Sequence, residues 1–66
     1  MKFRYFTDAI RKGVKIAVNI DHVRFIETAD AEAGTTYIVF DKNGEQCIEV
    51  GEDFDTVFSR LNTIAE

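Results

Sequence analysis

Thr36-Tyr-Ile-Val-Phe40, Asp41-Lys-Asn-Gly-Glu45 and Gln46-Cys-Ile-Glu-Val50 run on without a break, and their reading decides the fold. The outer runs are rich in β-branched and aromatic residues. Between them, Asn43-Gly44 suits a two-residue type I′ turn, whose central positions both need φ > 0. The stretch predicts a β-hairpin. In that register Lys42 faces Glu45, Phe40 faces Cys47, Val39 faces Ile48 and Tyr37 faces Val50. Lys42 and Glu45 then make a small favourable cross-strand ion pair.

Toward the C-terminus, Gly51 separates this hairpin from Phe54, Val57, Phe58, Leu61 and Ile64. Their i, i+3, i+4, i+7, i+10 spacing draws one apolar stripe and predicts a helix over 53–65. Glu52, Asp53 and Asp55 lie where the positive end of the helix dipole favours anions, and Arg60 lies nearer the other end.

Toward the N-terminus, Lys2-Phe-Arg-Tyr-Phe-Thr7 alternates, with Phe3 and Tyr5 on one side, read as core, and Lys2, Arg4 and Phe6 on the other. Val14, Ile16 and Val18 oppose Lys15 and Ala17 in a second half-buried strand. Asn19 to His22 is a corner. A third strand sets Val23 and Phe25 against Arg24 and Ile26 and ends near Thr28, and 30–35 is a small polar loop. Short connections exclude parallel crossovers. The expected fold is therefore α+β: a five-stranded antiparallel, meander-like sheet, open or curled into a partial barrel, with one C-terminal amphipathic helix on one face.

One helix covers one face. If Tyr37, Val39, Ile48 and Val50 meet it, then Ile38, Phe40 and Cys47 face away with Ile26 and Phe6. Such an apolar patch predicts a protein interface, most simply in a two-fold homodimer. The competing expectation is that sheet curvature closes the second face into a barrel core.

Length and composition set the outer bounds. Sixty-six residues, 45% apolar and 30% charged, describe one small domain rather than a disordered chain. No apolar run approaches a membrane span, and the first ten residues lack a signal-peptide core. A lone cysteine cannot form an internal disulfide, which predicts a reducing, cytoplasmic home. The net charge of −4 hides a split: residues 1–26 carry six cations against two acids, and 27–66 carry two against ten. The basic half raises an alternative function, nucleic-acid binding by Lys2, Arg4, Arg11, Lys12, Lys15 and Arg24, with interleaved aromatics stacking on bases. The overall acidity argues against it.

The residues offer little for catalysis. Cys47 and His22 are single, and nothing in the sequence brings them together. Two such residues do not make a structural zinc site, and Asp41-Lys-Asn-Gly has the wrong spacing for a calcium loop. The glycines are isolated, so no phosphate-binding loop is present. The expectation is a non-catalytic chain with no metal and no cofactor.

The order of elements resembles a known family. Ile16-Ala-Val-Asn-Ile-Asp-His-Val-Arg-Phe-Ile-Glu-Thr-Ala-Asp30, then Tyr37-Ile-Val-Phe40, Asn43-Gly44, Cys47-Ile-Glu-Val50 and the helix to Leu61 are similar to small bacterial flagellar and swarming-motility proteins of the FlbD type. A fainter similarity is to the β-rich core of LytTR-type DNA-binding domains, whose basic contact loops this chain lacks. The Thr7–Gly13 link and the 30–35 loop are longer than the motility pattern. The resemblance implies a small bacterial or phage accessory or regulatory protein and transfers no catalytic residue.

Overall fold

Alternating apolar residues over short spans, punctuated by glycine, produce five strands and a helix in the computed structural model, which describes residues 2–62. They are β1 (Phe3–Thr7), β2 (Lys15–Asn19), β3 (Phe25–Asp30), β4 (Thr35–Val39), β5 (Cys47–Val50) and α1 (Phe54–Asn62). The fold is α+β with antiparallel pairing throughout. The strands divide into a β1–β2 ribbon and a β3–β4–β5 sheet, and the two do not close into a barrel.

The single meander breaks at the corner after β2. Residues Ile20–His22 form one 3₁₀ turn, with the Asn19 side chain accepting from the Asp21 N–H, and this turn leads the chain away before β3 starts. β1 meets β5 instead. Asp8 bridges to Val50, the Gly51 N–H donates to Thr7 O at 2.8 Å, and the Ala9 N–H donates to Glu49 O at 3.1 Å. A Cβ on Gly51 would lie 3.0 Å from Thr7 Oγ1, so this close crossing suits glycine.

The hairpin forms, but one residue out of the expected register. Ile38 pairs with Ile48, Thr36 with Val50, Tyr37 with Glu49 and Val39 with Cys47. The turn explains the slip. Among the described residues only glycines have positive φ, so Asn43 cannot take its place in a type I′ turn. Residues 41–45 instead make a longer loop with Gly44 at φ +78°. The Asp41 carboxylate accepts the Gln46 N–H at 3.0 Å, and the Phe40 N–H donates to Gln46 O at 2.8 Å. This register sets Ile38 against Ile48 and sends Glu49 out beside Tyr37, whereas the expected one would have set Glu49 against Ile38.

The one-residue slip turns β4 over against β5. Ile48 and Val50 keep the core face expected of them, Ile38 and Thr36 now share it, and Val39 is buried on the other face. Ile38, Val50 and Thr36 are fully buried, and Ile38 and Val50 join Phe6, Val18 and Val57 in the core. Ile26, Phe40 and Ile48 pack on that cluster half-buried. Two residues expected on an open interface face, Phe6 and Ile38, therefore lie in the core. Phe3 and Tyr5, expected in the core, are 42% and 68% exposed. Cys47 is exposed on the other face of β5.

The helix stripe is narrower than its spacing suggests. Val57 is buried and Leu61 half-buried, while Phe54 and Phe58 stack on each other near the surface, 6.3 Å apart and 7° from parallel. Ile64 lies outside the described residues. Asp53 caps the helix: its carboxylate accepts the Thr56 N–H at 3.2 Å.

Candidate interaction groove

β1 has two edges, and they are satisfied differently. Tyr5 O accepts from Arg60 at 2.7 Å, and the Thr7 N–H donates to the Glu52 carboxylate at 3.1 Å. Tyr5 therefore aims its backbone at the helix and Thr7 at the Gly51–Glu52 segment before it, and alternation leaves Arg4 and Phe6 bonded to their register partners, Val18 and Ile16. Glu52 and Arg60 stand where a neighbouring strand would. They are joined at 3.3 Å, Glu52 also takes the Thr7 hydroxyl at 3.1 Å, and the guanidinium lies 5.5 Å from the Phe6 ring centre. Thr36 adds a hydrogen bond to Glu52 O at 2.8 Å. This clasp locks the helix to β1 and blunts that edge.

β2 is different. Because Ile16 and Val18 bond to β1, alternation turns the N–H and C=O groups of Lys15, Ala17 and Asn19 outward. Among the described residues, the strand order gives β2 no second strand neighbour. Along this edge runs an open groove of about 550 Å³. Phe3, Ile16, Val18, Phe40 and Ile48 give it apolar walls, and Asn19, His22 and Gln46 add polar groups. Val57 of the helix packs between Phe6 and Val18 of the ribbon and Ile38 and Val50 of the sheet, and no helix residue lines the groove. An unpaired strand edge beside an apolar trough suits an extended peptide, with backbone bonds for affinity and a cleft for alternate side chains.

Of the residues expected at an interface, Phe40 lines this groove, Ile26 packs against the core, Phe6 and Ile38 lie within it, and Cys47 points elsewhere. Phe3, Ile16, Val18 and Ile48 were missing from that expectation. Val18 and Ile16 show the right alternation in the sequence, but no local signal says that β2 ends a sheet.

Two of the expected nucleic-acid residues, Arg4 and Arg11, are engaged within the chain. Arg4 is half-buried, with Nε donating to Arg60 O at 3.1 Å and a guanidinium nitrogen donating to Phe3 O at 3.0 Å. Arg11 pairs with Asp8 at 2.8 Å. The Ile10 N–H, then the Arg11 side chain and N–H, hold the Asp8 carboxyl below its ordinary range. Lys2, Lys12, Lys15 and Arg24 are exposed. Of these, Lys15 shares the outer face of the β1–β2 ribbon with Phe3 and Tyr5.

His22 opens onto the groove, whereas Cys47 sits on the opposite face of β5 from Gln46 and Ile48, the groove-lining residues beside it. The two are not arranged as a nucleophile and its base. No helix among the described residues is long and apolar enough to cross a membrane. No protein-family model matches this chain, and no curated protein or solved structure matches it.

Proposed function

We propose that this chain is a small non-catalytic binding module, cytoplasmic and of bacterial or phage origin, which takes an extended apolar segment of a protein into the groove beside β2. One observation carries the reading: the apolar trough opens along the strand edge whose backbone groups find no partner among the described residues. The lone free cysteine is in keeping with a reducing compartment. The likeness to small motility-related proteins adds the expectation of a regulatory role.

A selection of phage-displayed random peptides tests this. Enriched sequences should alternate apolar and polar residues and bind the native chain but not Phe3→Glu, which charges an already exposed wall of the groove. No enrichment, or enrichment that ignores Phe3→Glu, would overturn the reading.

A second reading rests on the outer ribbon face, which exposed Phe3 and Tyr5 share with Lys15: single-stranded nucleic acid stacking on the aromatics. It requires binding to a labelled oligonucleotide that weakens steeply with salt and is lost in Tyr5→Ala. Absence of any shift at low salt removes it.

A further inference from the structure

We infer that the segment occupying the β2 edge is β2 of a second copy, paired antiparallel about a two-fold axis through Ala17. This deepens the groove reading and rests on it. The register follows from the backbone. Only Lys15, Ala17 and Asn19 aim their hydrogen-bonding groups outward, so a partner strand must oppose them with residues of the same kind. Two copies of β2 satisfy every outward group in one arrangement: Ala17 opposite Ala17, and Lys15 opposite Asn19 in both directions. Moving the axis by one residue in either direction leaves one of the three without its counterpart.

The side chains fit the same arrangement. Ala17, at the axis, is small and exposed, so the strands can approach. Ile16 of each copy falls opposite Val18 of the other, on the groove face, extending the apolar wall toward Phe40 and Ile48. Lys15 meets a neutral asparagine rather than its own copy. The two Lys15 side chains stand four residues apart along the pairing, roughly 13 Å at the strand rise. That exceeds the ~8 Å screening length at physiological salt, so their repulsion is slight. The other free edge is less suited: β3 has a register irregularity between Thr28 and Asp30 and carries Glu27 and Asp30.

Light scattering on the eluting protein tests this over a range of loading concentrations up to about 500 μM. The native chain should move from 7.5 kDa toward twice that mass. Ala17→Glu and Ala17→Lys each place like charges together at the axis and should weaken association at least about tenfold. An equimolar mixture of the two should restore it. Far-UV circular dichroism should be unchanged in both, since the side chain is on the outer face.

A native chain that stays at 7.5 kDa throughout overturns the second copy as partner. A dimer unaffected by either Ala17 variant overturns the register. In both cases the groove reading is judged separately, by whether selected peptides bind the native chain and lose Phe3→Glu. If the mixture fails to associate although native protein does, the axis through Ala17 is wrong.

Discussion

At the scale of single residues, Arg60 and Glu52 do more than their places on the helix dipole suggest. Together they occupy an edge of β1 that would otherwise face water. Arg60→Met or Glu52→Ala should lower unfolding stability by about 1–2 kcal/mol, since each removes hydrogen bonds made by a charged group. Urea denaturation followed by circular dichroism measures this; a change under about 0.5 kcal/mol, normal for an ordinary surface site, would deny the clasp its role. The two aspartates respond to acid. Thr56, through its hydroxyl and then its N–H, lowers the Asp53 carboxyl as the Ile10 and Arg11 groups lower Asp8. A carboxyl lowered on folding stabilises above the ordinary value of 3.8, and that stabilisation fades as pH falls through the folded value. Thermal midpoints should therefore hold from neutral pH to about 4 and then drop, and Asp53→Asn should show a shallower acid limb. An acid limb identical to that of the native chain would contradict the cap.

At the scale of elements, the hairpin turn decides which face of β4 joins Ile48 and Val50 in the core. Asn43→Ala should change stability by less than about 0.5 kcal/mol, because Asn43 has no positive φ to maintain. Gly44→Ala should cost about 1 kcal/mol, because Gly44 does. Equal costs at the two positions would restore the type I′ turn and the other register. This is also where legibility in the sequence ended. The strands, the hairpin and the helix were readable because period-two and period-3.6 patterns are local. Asn43-Gly44 named the turn region correctly but not the loop length, and one residue of slip carried Ile38 from surface to core. Phe6 was misread for a related reason: Lys2-Phe-Arg-Tyr-Phe6 has apolar residues on both faces, and only packing against Val18, Val50 and Val57 chooses between them.

At the scale of the whole molecule, one short helix must serve two small sheets. It reaches both through Val57, and the groove is lined by strand and loop residues it does not cover. The apolar face expected on β4 and β5 is not left over, since Phe6 and Ile38 lie in the core. Pairing between β1 and β5, a contact between distant parts of the chain, places the apolar trough beside β2 instead. Phe40 was the one proposed interface residue that reached the groove. The charge split also takes on a local meaning: β1 and β2, which border the groove, belong to the basic half, while β4, β5 and α1 belong to the acidic half. Association through β2 should depend only weakly on salt, because backbone bonds and apolar pairs make it and the Lys15 pair lies beyond the screening length. A steep salt dependence in light scattering would favour charge contacts instead.

Two copies of this chain should pair along the β2 edge, with its groove as the contact surface. Amide and methyl chemical shifts of isotope-labelled protein, followed from about 10 μM to 1 mM, test it most directly. The expected result is a concentration-dependent set confined to Lys15, Ala17, Asn19 and the groove walls Ile16, Val18, Phe40 and Ile48. Shifts gathered instead on Phe25, Tyr37 and Cys47, or on Phe54 and Phe58, would contradict it, and spectra that do not change with concentration would contradict the pairing of two copies.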